Sequence, residues 1–254
     1  YAERLPIGKP EIIETISYDR VRQFYHDWYR PDEMAVVVVG NVDVDDMESR
    51  IKQQFSALDN PQPERPREKY SVPMNGQTLV SICSDKEATN TAVQLLYRHP
   101  EYNTRTEADF QESLTRSLYN NMLNNRLSEL SQKADPPFLF AYSGYSGGLG
   151  HVSNYTSYAV VQEGGVEQGL KAVLEENERV LHHGFTETEL ERSKTEILKA
   201  AERLARERDK QESGDLASDL VSYFTDGGPL LSAEQYYRLV KELVPEIPLT
   251  DVDA

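Results

Sequence analysis

The spacing of apolar positions changes repeatedly along the first sixty residues. Val21, Phe24, Tyr25 and Trp28 recur at i, i+3, i+4 and i+7, which predicts a helix with four large side chains on one face. Pro31 ends it, because proline lacks the N–H and disfavours helical geometry in the residue before it. Ala35 to Val39 is an uninterrupted, largely β-branched run, the pattern of a strand buried on both faces. Gly40 and Asn41 turn the chain. Asp43 can cap the next helix with Asp46 in its first turn, and Met47, Ile51, Phe55 and Leu58 form that helix's predicted buried stripe. Tyr1 to Thr15 reads as an extended lead-in. After Leu58, Pro61, Pro63, Pro66 and Pro73 alternate with charged residues and favour an extended linker.

Beyond the linker the period is first two, then 3.6. Thr78 to Ser84 and Thr91 to Arg98 read as strands joined by a polar turn. Phe110, Leu114, Leu118, Met122, Leu123, Leu127 and Leu130 mark the buried face of a long helix from about Thr106 to Lys133, which Pro136-Pro137 bars from continuing. Phe138 to Tyr145 and Tyr155 to Gln162 read as a hairpin, with Gly147, Gly148 and Gly150 in its turn. A helix from Val166 to His182 follows, with Leu170, Val173, Leu174 and Leu181 inward and Gly184 at its C-terminal cap. Thr186 with Glu189 forms a capping box that opens another helix, carrying Leu190, Ile197, Leu198, Ala201 and Leu204 until Gly214 interrupts it. Asp215 to Thr225 and Ala233 to Val244 are shorter helices separated by Gly227-Gly228-Pro229. Ser232 and Gln235 box the second, and Thr250-Asp251 begins one more. Strands followed by helices and a hairpin predict an α+β fold, with helices packed on a largely antiparallel sheet.

Composition narrows the chemistry. The 254 residues carry a formal net charge of −16, which opposes phosphate backbones and anionic lipid. No apolar run approaches the roughly 20 residues that span a bilayer. The single cysteine, Cys83, excludes an internal disulfide, and its strand context predicts a buried small hydrophobe. A zinc hydrolase needs ligands at set spacing, such as His-x-x-Glu-His or His-Glu-x-x-His on one helix, and neither motif occurs. Adjacent His182 and His183 point about 100° apart on a helix and make a poor chelate. His183 and Glu187 straddle Gly184. His26, beside the apolar stripe, reads as a packing histidine, and His99 and His151 have no acidic or histidine partner at metal spacing. Ser143 to Gly150 matches neither a phosphate-binding loop nor a nucleophile elbow. No catalytic or metal-binding residue is therefore assigned.

Several short motifs resemble a known family. Arg4, Pro6, Ile7 and Gly8, then Phe24-Tyr25, Trp28-Tyr29-Arg30-Pro31, Met34 and Val36 to Asp43 look like the end of the catalytic domain of pitrilysin/insulinase-type zinc metalloproteases, closest to the bacterial zinc-protease branch. Gly184-Phe185-Thr186 with Glu189-Leu190 resembles a helix junction found in their domains. The resemblance implies that residues 1–58 are the C-terminal part of a catalytic-type domain, 59–76 a linker, and 77–254 a second, non-catalytic domain truncated at its C-terminus. The zinc-binding motif and general base would precede Tyr1. The implied function is hydrolysis of peptide substrates in a chamber that this chain helps to form, together with the remaining domains of the same polypeptide and, in some members, in a homo- or hetero-dimer. A scaffold or inactive partner subunit is the alternative. A periplasmic location follows from the bacterial branch, and a glycine-rich loop in related mitochondrial processing peptidases suggests substrate handling by Gly147 to Gly150.

Overall fold

The computed structural model describes residues 7–68, 70, 72–74, 76–148 and 152–253. They form two units, one of residues 7–68 and 212–227, the other of residues 70–211 and 228–253.

The first unit begins with α1 (Pro10–Thr15), where an extended lead-in was expected. Pro10 sits at the start of this helix, where its missing N–H costs nothing. α2 (Tyr18–Trp28) is capped by Ser17, whose hydroxyl accepts the Arg20 N–H at 3.2 Å. α3 (Val44–Phe55) is capped by Asp43, which accepts the Asp46 N–H at 2.9 Å. The predicted strand at Ala35 to Val39 is absent. These residues bond to no neighbouring strand, and Val36 and Val38 are exposed. A strand requires partners for its N–H and C=O groups, and none of the described residues supplies them. The stripe Met47, Ile51, Phe55 and Leu58 is likewise not buried; Phe55 and Leu58 are exposed. Neither is the face of α2, where Phe24 and Tyr25 are 57% and 62% exposed. His26 stands in solvent rather than packing.

Arg30 is the one buried residue among those described in this unit. Its Nη1 donates to the Arg65 carbonyl at 2.8 Å and its Nη2 to Glu33 at 3.4 Å. Its Nε lies 3.0 Å from Asp32 Oδ1, close enough for attraction but outside hydrogen-bond alignment. The linker is thereby tied to the turn after α2, and Arg65 also bonds Asp27 at 2.7 Å.

The second unit is built on a three-stranded antiparallel sheet of β1 (Thr91–Pro100), β2 (Phe140–Gly147) and β3 (Val152–Val161), in the order β1-β3-β2. The hairpin is present, although β3 begins three residues earlier than expected; Gly150 and His151 lie outside the described residues. Thr78 to Ser84 is not a strand, and Leu79, Val80 and Ile82 are 70–91% exposed. Cys83, expected to be buried there, is exposed.

One face of the sheet carries the core. α4 (Glu107–Ser131), opened by a Thr106–Asp109 capping box, buries Phe110, Leu114, Leu118, Met122, Leu123 and Leu127. α5 (Val166–His183) buries Gly169, Val173, Glu176 and Val180 instead of the expected leucines, and Leu181 is 75% exposed. Gly169 sets that rotation: a Cβ there would lie 2.3 Å from Val161 Cγ1, so its absence lets the helix seat on β3. α6 (Glu187–Arg206) stops before Gly214, which instead lies within α7 (Ser213–Asp226), a helix of the first unit with no buried side chain. α8 (Ala233–Leu243), boxed by Ser232 and Gln235, packs on α6, and Val244, Ile247 and α9 (Leu249–Val252) complete the core. The expected α+β architecture is the observed one.

Candidate functional site: an uncharged sheet face

Side chains alternate between the two faces of a strand, and the register of the sheet assigns each. Val93, Ala141, Tyr155, Ala159 and Val161 turn toward the helices and join the core. The alternate set forms the opposite face, which is open except where Thr156 and Gly144 are buried. β1 gives it Ala92, Gln94, Leu96 and Arg98; β3 gives it Asn154, Thr156, Tyr158 and Val160; β2 gives it Phe140, Tyr142, Gly144 and Ser146. Phe140 and Leu96 are each 55% exposed. Arg98 is the one charged residue among these. The chain as a whole carries 27 basic and 43 acidic residues, so the neutrality of this face is local.

Along the outer edge of β2 the face continues into a cleft of about 380 Å³ lined by Asn121, Asn125, Ser128, Phe140 and Tyr142. Two other asparagines on α4 build this edge. Asn120 donates to the Tyr145 carbonyl at 3.0 Å and accepts its N–H at 2.9 Å. Asn124 does the same one turn on, with the Ser143 carbonyl at 2.8 Å and N–H at 3.1 Å. The two carboxamides stand in for a neighbouring strand and close the edge of β2. Gly144 permits this approach, since a Cβ there would meet Asn120 Oδ1 at 2.4 Å. Asn121 and Asn125, bonded to each other at 3.2 Å, remain in the cleft. Burial pushes the Tyr142 hydroxyl above its ordinary pKa, so it stays protonated and neutral at neutral pH.

Behind the sheet, the polar groups are mutually satisfied. Ser143 donates to Ser157 at 2.8 Å, Asn177 donates to Ser143 at 3.1 Å, and Tyr155 donates to Asn177 and faces the Tyr119 hydroxyl at 3.2 Å. Such a closed network fixes strand register. The histidines among the described residues are dispersed. His182 pairs with Glu178 at 3.3 Å, its ring 6.4 Å from that of His183. His99 packs against Tyr102 and Tyr145. Among the described residues no three His, Cys, Asp or Glu side chains could hold one metal ion.

The sequence profile of the peptidase M16 inactive domain matches residues 15–197. The chain belongs to this family. An Arabidopsis thaliana protein named zinc protease PQQL-like is 30% identical over 257 residues, covering 99% of this chain and 24% of the relative. The probable zinc protease PqqL of Escherichia coli K12 is 26% identical, covering 96% of this chain and 26% of the relative. The chain thus spans about a quarter of the length of these relatives. Among solved structures, the periplasmic protease PqqL from E. coli superposes over 99% of this chain and 28% of that one, with a TM-score of 0.87 at 24% identity. A peptidase M16 inactive domain from Pseudomonas fluorescens covers 98% of this chain and 56% of that one, with a TM-score of 0.64 at 17% identity.

In this M16 domain the Gly184-Phe185-Thr186 junction is a structural latch. Gly184 adopts φ +64°, ψ −163°, a region open to glycine. Phe185 is buried, its N–H donating to Asp253 at 3.0 Å. Glu189 closes the capping box and receives Arg126 Nε at 2.6 Å and Nη2 at 2.8 Å. A Cβ at Gly184 would come within 2.4 Å of Asp253 Oδ2. Gly184→Ala is therefore expected to destabilise the chain by about 2 kcal/mol, combining backbone strain with loss of the Phe185–Asp253 bond. Urea unfolding checks this, and a change within about 0.5 kcal/mol would show that the junction yields without strain.

The open sheet face was not legible as a site. Its one sequence signal is the composition of Tyr142 to Tyr158, in which fourteen of seventeen residues are Tyr, Ser, Gly, Asn or Thr and none is Asp, Glu, Lys or Arg.

Proposed function

We propose that this chain is the non-catalytic part of a zinc metalloendopeptidase, forming one wall of a substrate chamber whose zinc and general base lie elsewhere in the same polypeptide. The observation that carries this reading is the M16 inactive-domain match over residues 15–197 in a chain spanning about a quarter of relatives named zinc proteases. Among the described residues no three His, Cys, Asp or Glu side chains could hold one metal ion, so this reading assigns the zinc to the rest of the polypeptide. Residues 1–58 act as the C-terminal part of the preceding catalytic-type domain, 59–76 as linker, and 77–254 as a second domain. The exposed Phe24, Tyr25, Val36 and Val38 favour that division, because large apolar side chains left in solvent gain by meeting a partner surface. The E. coli structure described as periplasmic favours the same location here.

The purified 254-residue chain is expected to retain no stoichiometric zinc and to leave a quenched fluorescent peptide intact, whereas the intact polypeptide cleaves it and stops on chelation. Chelator-sensitive cleavage by the pure chain would overturn the reading. An intact polypeptide that neither binds zinc nor cleaves would make it a scaffold or silent partner.

A further inference from the structure

We infer that the open sheet face and the asparagine cleft beside β2 form a docking site for an extended, uncharged polypeptide segment. This deepens the reading of the chain as a chamber wall by assigning the substrate class which that wall holds.

Neutrality carries the first step. A charged segment laid on the face would give up hydration and meet no countercharge beyond Arg98, which already has interactions of its own. A neutral segment loses far less. The second step is the kind of surface. A permanently covered interface resembles a domain core, but Gln94, Ser146, Asn154 and the hydroxyls of Tyr142 and Tyr158 keep this face wettable between its apolar members Leu96, Phe140 and Val160. A surface that alternates aromatic area with adaptable hydrogen-bonding groups suits an occupant that comes and goes. Tyr, Ser, Asn and Gly serve that purpose in antibody loops, with little side-chain entropy lost on contact. The third step is the cleft. Asn120 and Asn124 already show a carboxamide pairing both backbone groups of one residue in β2. Asn121 and Asn125, joined by one hydrogen bond from Asn125 Nδ2 to Asn121 Oδ1, still hold an amide donor and a carbonyl acceptor between them in the cleft, where the peptide groups of an extended segment can be met irrespective of its side chains. Recognition is then by backbone and lack of charge, as suits a wall that handles varied unfolded segments.

Fluorescence anisotropy on the 254-residue chain tests this. One labelled unfolded peptide contains Ser, Gly, Asn, Leu and Tyr, and two others replace alternate residues by Asp or by Lys. The neutral peptide is expected to bind at least about tenfold more tightly than either charged one. The double variant Gln94→Glu, Asn125→Asp, which adds charge without changing shape, should remove that preference, while Gln168→Glu on the exposed side of α5 should not. Equal binding of all three peptides, no binding of the neutral one, or an unaffected double variant each overturns the inference. In the intact polypeptide the double variant should raise KM for the neutral peptide and leave kcat and zinc content unchanged. Peptidase activity there with an unchanged KM would sink the docking site alone, whereas lack of zinc and of activity would sink the proposed function alone.

Discussion

Arg126→Ala is expected to destabilise the chain by about 3 kcal/mol, because it removes the paired contacts to Glu189 and one of the two guanidinium partners of a carboxylate, Glu176, that cannot reach water. Glu176 is 3% exposed on α5 and lies 3.4 Å from Arg126 Nη1. The same guanidinium makes the paired contacts to Glu189, donates to the Gly184 carbonyl at 3.2 Å and stacks 4.8 Å from the centre of the Phe185 ring. One side chain from α4 therefore ties α5, the junction and α6. Arg179, 3.1 Å from Glu176 but 61% exposed, is a poor substitute in water. Urea unfolding should show the loss, and the melting temperature should fall by roughly 6–12 °C for a chain of this size. A loss below about 1 kcal/mol would mean that Arg179 alone satisfies Glu176.

The same contact sets a pH dependence. The Arg126 hydrogen bonds hold Glu189 down at about 2, outweighing burial, which pushes the other way. A folded value below the ordinary 4.5 means that the contribution is fully present above about 4.5 and disappears as the pH falls toward 2. Stability of the unaltered chain should drop through that window, and the Arg126→Ala protein should lose less of its stability across the same range.

Leu123→Ala is expected to cost about 3–4 kcal/mol. Leu123 is fully buried in the cluster that joins α4 to the sheet and to the segment around Ile247. Truncating it removes apolar contact and leaves a cavity that the surrounding helices cannot close. Phe24→Ala, at a residue of the first unit that is 57% exposed, is expected to change stability by less than about 0.5 kcal/mol in the 254-residue chain. Paired unfolding curves check both. A large loss at Phe24 would show that α2 is already buried within this chain and would remove one support for assigning residues 1–58 to a preceding domain.

These contrasts show where sequence patterns carry the structure. Thr106–Asp109, Thr186–Glu189 and Ser232–Gln235 opened their helices as local chemistry requires, because a cap needs only residues three apart. The stripe from Phe110 to Leu127 marked the buried side of α4 because that helix lies against both sheet and helices. Leu170, Leu174 and Leu181 misled because burial on α5 depends on how closely it approaches β3, and Gly169 decides that with a side chain it lacks. Ala35 to Val39 and Thr78 to Ser84 misled for a related reason. Their β-branched pattern states what a strand would need, and the ladder that would complete it comes from residues distant in sequence.

For the candidate site, the chain's amino-acid order determined that Tyr142 to Tyr158 would be aromatic, hydroxylic and free of formal charge, and that no zinc motif of known spacing occurs. Tertiary structure decided which of these residues face outward. The register of β2 on β3 sends Ser143 and Tyr155 into the core and Tyr142 and Tyr158 to the open face, and the packing of α4 brings Asn121 and Asn125 to its border. A one-residue slip in that register would exchange the two faces. Composition is a property of the strand alone, whereas a binding face exists only once the partner strand and the covering helix have fixed its side.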